Sequence, residues 1–131
     1  MQFQNELRNL AKQAKKRKGV LAIYLFGSVA RGQQNAKSDI DICIIPEKEK
    51  PGMGKIIEMF GAASPGIDLV NFYRLPIQIR YRVFKEGKPI YEKDRHLVSH
   101  IISKTISEYL DMKPGLDRIY NAILRGKRKH G

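Results

Sequence analysis

The chain of 131 residues has little cysteine, no long apolar run and few acidic side chains. Cys43 is its only cysteine, which excludes an internal disulfide and a cysteine-rich zinc site and suits a reducing, intracellular compartment. No stretch approaches the roughly 18 apolar residues of a membrane-spanning helix, and the segment from Met1 to Arg8 holds no apolar signal core. The expectation is a cytoplasmic protein without a membrane segment. Internal repeats, low-complexity tracts and linkers are lacking too, and the length suits one domain, residues 1–131, with a helical C-terminal part from about 94. With 13 acidic residues against 25 Lys and Arg, the net charge is +12. That charge predicts attraction to a polyanion: a nucleotide, RNA or an acidic protein. The plain alternative is a lysine-rich surface with no ligand. Hydrophobic residues make up 42% of the chain, enough for a packed core and too many for a disordered chain.

What is present reads as alternating short elements. Phe3, Leu7, Leu10, Ala11 and Ala14 form one helix face over residues 2–17, with lysines opposite and a stop at Lys18-Gly19. Residues 20–26 are a buried strand that Gly27-Ser28 ends abruptly. Residues 33–38 are loop-like. Ile40, Ile42 and Ile44 then alternate with Asp39, Asp41 and Cys43, a strand of period two closed by Pro46. A charged turn at 47–52 and a short helix at 53–62 precede a third strand at 67–72. Pro76 suits the first turn of a helix that Gly87 terminates, and residues 88–91 suit a last short strand. A helix over 94–111 takes Leu97, Ile101, Ile102, Tyr109 and Leu110 as its apolar set. Pro114-Gly115 is expected to break it before a final helix at 116–125, and the basic tail 125–130 reads as a fraying end. The fold class is α/β (α+β): a small mixed sheet flanked by helices.

The chemistry concentrates in Gly27-Ser28-Val29-Ala30-Arg31-Gly32, then five residues, then Ser38-Asp39-Ile40-Asp41. Asp39 and Asp41 are two apart on a strand, so both carboxylates point to one face with Cα atoms roughly 6.5–7 Å apart. Such a pair can hold Mg²⁺, which takes one or two carboxylates plus substrate phosphates. Without a cation the two repel. A strand end dipping into solvent is the plain alternative. Gly27 lets the backbone turn sharply and approach a ligand closely. The N–H groups there and the Ser28 hydroxyl suit a phosphate, and Arg31 could add positive charge; an ordinary strand-to-helix turn reads the same way. Asp68, near the start of the third strand, becomes a third carboxylate if that strand neighbours the Asp39–Asp41 strand. It could then share a metal and help activate an attacking hydroxyl.

These residues resemble the signature of the polymerase beta-like nucleotidyltransferase superfamily. More narrowly, the Gly-Ser-x-Ala-Arg-Gly form with Ser-Asp-Ile-Asp is similar to that of the minimal nucleotidyltransferases (MNT), antitoxin partners of HEPN toxins. Residues 67–70 match the place of the family's third carboxylate, and residues 84–92 resemble the helix end, turn and short strand that follow. The resemblance implies the nucleotidyltransferase fold, with Gly27 and Ser28 holding the triphosphate of ATP. Asp39, Asp41 and Asp68 would form a catalytic, Mg²⁺-binding triad. It further implies transfer of AMP to a tyrosine hydroxyl of a partner HEPN toxin, which silences it. Two other functions stay open: an RNA-end nucleotidyltransferase, which the charge favours, and a module that neutralises a toxin by contact alone.

Three weaker signals remain. Gly52-Met53-Gly54-Lys55 is not a phosphate-binding P-loop, because Glu49 and Ile56 stand where Gly and Ser or Thr are needed. His96 and His100 have helical metal-binding spacing, but no Glu follows His96, so a solvated helix face is the simpler reading. The apolar face of residues 97–110 either buries against the sheet or leaves an excess for a second copy or a HEPN partner.

Overall fold

A computed structural model of the chain describes residues 4–17, 19–27, 40–48 and 66–130. The loop expected at 33–38 and the helix expected at 53–62 lie outside these residues. The element order is α1 (Gln4–Lys16), β1 (Val20–Phe26), β2 (Ile40–Pro46), β3 (Ile67–Asn71), a 3₁₀ turn (Phe72–Arg74), α2 (Ile77–Glu86), β4 (Lys88–Glu92) and α3 (Arg95–His130). The strands form one mixed sheet in the order β3-β2-β1-β4. β1 is antiparallel to both β2 and β4, whereas β2 and β3 run parallel.

The period of two along β2 divides the core into two layers. Ile40, Ile42 and Ile44 join Ile23 and Leu25 under α1, which contributes Leu7, Leu10 and Ala14. Cys43 and Ile45 face the other way and pack with Tyr24, Phe72, Val83 and Val98, beneath α2 and α3. Leu21 and Ala22 are consecutive yet both belong to this second layer. The register irregularity between Val20 and Ala22 explains it, because an extra residue rotates the strand at that point. Gly87 ends α2 as expected: its N–H donates to the Val83 carbonyl at 2.9 Å, and a Cβ there would collide with that same oxygen.

The last helix departs from expectation in two ways. Its inward residues are Val98 and Thr105, with Ile101 and Ile102 half-buried, whereas Leu97 and Leu110 are 49% and 56% exposed. Ile101, Ile102 and Tyr109 thus pack inward as expected, whereas Leu97 and Leu110 give way to Val98 and Thr105. Pro114 does not break the helix either, and α3 continues to His130 over 36 residues. A proline inside a helix costs about 3 kcal/mol, largely through a lost hydrogen bond and a ring clash. Here residues 110–114 are all exposed, so water can solvate the carbonyl that loses its donor. No helix among the described residues is long and apolar enough to cross a membrane.

Candidate functional site

The site lies where β1 ends and β2 and β3 begin. Gly27 follows β1 with φ of +83°, a left-handed conformation in which a side chain is strained. Phe26 pairs with Asp41 across the antiparallel ladder, which brings the strand-to-loop turn beside the Asp41 side chain. A Cβ at residue 27 would lie 3.2 Å from Asp41 Cγ and well inside contact distance of its Oδ2. The Asp41 carboxylate therefore occupies the space that glycine leaves vacant against the backbone.

Asp68 enters from the other side. In the parallel ladder Asp41 stands opposite Asp68, between the pairs Ile40–Ile67 and Ile42–Leu69. Directly paired residues share a face, with Cα atoms about 4.8 Å apart. The Ile40 N–H donates to the Gly66 carbonyl at 3.0 Å and locks this register at the strand starts. Asp41 is half-buried and Asp68 exposed, so the pair opens to solvent at the sheet edge. The conditional expectation that β3 neighbours β2 is met. Asp39, Ser28 and Arg31 lie outside the described residues.

Two carboxylates side by side on one sheet face repel unless a cation or proton intervenes. Their oxygens are hard donors, the set that Mg²⁺ takes in phosphate-handling sites, and Gly27 leaves one of them room beside an open backbone turn. The donor chemistry fits Mg²⁺. Among the described residues no group of three or more His, Cys, Asp or Glu side chains converges on a point.

Other candidates have structural roles. Cys43 is buried, and desolvation pushes its thiol far above the usual range, so it is no nucleophile. His96 and His100 are exposed and face each other, Nε2 to Nε2, at 3.2 Å. Tyr24 is buried, and desolvation, then the Glu92 charge, raise its phenol pKa. Its hydroxyl donates to Glu92 Oε1 at 3.4 Å, and Glu92 also pairs with Arg95. Arg80 was not anticipated. Its Nε and Nη2 donate to the carbonyls of Phe72 and Tyr73 at 3.1 and 2.7 Å, and its guanidinium lies over both rings. The clamp fixes the 3₁₀ turn that follows β3 and so anchors the strand carrying Asp68. No sequence pattern signals it, because its acceptors are backbone carbonyls.

The paired carboxylates and the glycine turn thus stand at one end of a small mixed sheet. The chain belongs to the family "Polymerase beta, Nucleotidyltransferase", which matches residues 8–96. The candidate protein adenylyltransferase MJ1547 of Methanocaldococcus jannaschii is 30% identical over 81 residues, which is 62% of this chain and 63% of that relative. The match thus spans less than two thirds of the relative's length. Among solved structures, a chain of a toxin–antitoxin crystal structure with AMP-PNP is similar with a TM-score of 0.72 and 23% identity, over 92% of this chain and 97% of that one. A chain from the complex of a tri-AMPylated Shewanella oneidensis HEPN toxin with MNT antitoxin gives 0.66 and 20%, over 92% and 94%. These two likenesses show the shared fold.

Proposed function

We propose that the chain is a Mg²⁺-dependent adenylyltransferase that moves AMP from ATP to a tyrosine hydroxyl of a HEPN toxin, and so acts as a cytoplasmic antitoxin. The observation that carries this reading is the Asp41–Asp68 register beside Gly27. The protein adenylyltransferase relative and the fold shared with an MNT antitoxin bound to an AMPylated toxin support the choice of reaction and acceptor.

In this reading the acceptor oxygen attacks the α-phosphorus, a new P–O bond forms, and the bond to the β-phosphate oxygen breaks to release pyrophosphate. Asp39, Asp41 and Asp68 would hold Mg²⁺, whose charge offsets that on the attacking and leaving oxygens. Asp68, exposed at the sheet edge, would help to activate the incoming hydroxyl by accepting its proton. Gly27 lets phosphate approach the backbone, with the Ser28 hydroxyl and the Arg31 charge as further partners. The protein contributes positioning and fixed charge rather than covalent chemistry.

The test incubates purified protein with Mg²⁺, α- or γ-labelled ATP and a HEPN toxin encoded beside it, with total RNA in a parallel tube. Wild type and Asp41→Asn run together. Label reaching the toxin from α-labelled ATP alone, and only with wild type, supports the proposal. Label on RNA instead makes the enzyme an RNA-end nucleotidyltransferase, for which the +12 charge is the supporting observation. Toxin silenced by wild type and Asp41→Asn alike, without transfer, leaves neutralisation by contact.

A further inference from the structure

Every large hydrophobic side chain that is strongly exposed among the described residues lies on α3. Three of them, Met112, Ile119 and Ile123, extend a regular spacing that begins inside the body. Val98, Ile102, Thr105 and Tyr109 are spaced four, three and four apart, and Met112, Leu116, Ile119 and Ile123 continue the alternation without a fault. This is the heptad spacing of a helix that packs lengthwise against another helix, with Ile102, Tyr109, Leu116 and Ile123 at a and the others at d.

The first half of the repeat has its partner within the chain. Val98 and Thr105 are buried, Ile102 packs on the second core layer, and Tyr109 stacks on Tyr81 of α2 with ring centroids 4.0 Å apart. The second half continues the same stripe past the end of the body, and there Met112, Ile119 and Ile123 are 49%, 62% and 53% exposed. Gly115, at a g position, has nothing within 4 Å of where a Cβ would stand, and Ala122, the next g, is also small. A second helix could approach this flank closely. The family match ends at residue 96, so the arm lies outside the matched domain.

Charge selects the occupant. Residues 111–130 carry six Lys and Arg against Asp111 and Asp117, and Lys113 takes an e position beside the stripe. A second copy would bring the same cationic arm on a chain of net charge +12. RNA would use the cations and leave the apolar stripe wet. We infer that the second half of α3 is a docking arm for one α-helix of a different protein, apolar at a and d and acidic at the flanking positions. This inference stands on α3 alone and does not depend on the transfer reaction proposed above.

The probes are two synthetic helical peptides of about three heptads, apolar at a and d, one with Glu and the other with Lys at e and g. Each is titrated with the full-length chain by fluorescence anisotropy, and the mass of the chain alone is measured by light scattering. The expected result is a monomer that binds the Glu peptide at least about tenfold more tightly than the Lys peptide. Ile119→Glu with Ile123→Glu should weaken that binding at least about tenfold while the thermal midpoint stays unchanged, since both residues are exposed. Binding of neither peptide, equal binding of both, or binding unaffected by the double variant overturns the inference. A self-associated chain that the double variant renders monomeric overturns it in favour of a second copy.

Discussion

The Cβ that Gly27 lacks would stand 3.2 Å from Asp41 Cγ. The turn and the carboxylate are thus two halves of one arrangement, and a side chain at residue 27 would displace the carboxylate. Gly27→Ala should cost about 1–2 kcal/mol through the left-handed backbone and should also push the Asp41 carboxylate out of its place. Thermal unfolding will register the first effect and AMP transfer the second. A variant that loses a few degrees yet keeps full transfer would show that the position of Asp41 is unimportant.

Replacing the paired carboxylates separates catalysis from folding. Asp68→Asn should reduce transfer on the order of a hundredfold or more. Its thermal midpoint without ligand should hold or rise, because an exposed member of a like-charged pair is neutralised. Wild type should gain about 2.7 kcal/mol at Mg²⁺-ATP near 100 Kd, and Asp68→Asn much less at the same concentration. Calorimetry with and without Mg²⁺-ATP makes the comparison.

Pro114 interrupts the hydrogen bonding of α3 in a segment bathed by solvent. Pro114→Ala should therefore raise helicity by far-ultraviolet circular dichroism without moving the unfolding midpoint of the body. A large rise in that midpoint would mean that the arm and the body melt as one unit.

Stability should fall on the alkaline side. Burial raises the Cys43 thiol, and burial followed by the Glu92 charge raises the Tyr24 phenol. Both groups then hold their protons more tightly folded than unfolded. Their contribution is complete below the unfolded pKa values, about 8.5 for Cys and about 10 for Tyr. It is lost as pH climbs through those values toward the folded ones. Urea midpoints measured from pH 8 to 11 should decline, and the decline should be shallower in Cys43→Ala with Tyr24→Phe.

The site was legible to different depths at different residues. Asp41 could be placed from alternation, because Ile40, Ile42 and Ile44 fix one face of β2 and leave it on the other. Gly27 could be placed because an apolar strand stops there, although its close approach to Asp41 required coordinates. Asp68 depended on which strand neighbours β2, a long-range choice that local pattern does not encode. On α3 only Leu97 and Leu110 were misassigned: Leu97 and Val98 are both apolar, and only the body beneath shows that Val98 turns inward. The break expected at Pro114 does not occur, because the carbonyl that loses its donor there is exposed to water and the helix carries the remaining cost. The Arg80 clamp was invisible because backbone acceptors have no letter in a sequence.

The mixed order of the sheet has a consequence in time. Gly27 and Asp41 are 14 residues apart and meet across antiparallel neighbours, whereas Asp41 and Asp68 are 27 apart and meet only across the parallel pair. Closing the longer segment costs more entropy, and parallel pairing is the slower step of a folding chain. The glycine half of the site is therefore expected to form first and the carboxylate pair last. A nascent or partly unfolded chain would then pass through a stage in which Gly27 stands beside Asp41 while Asp68 is still unpaired, and the carboxylate pair would be among the final features that folding delivers.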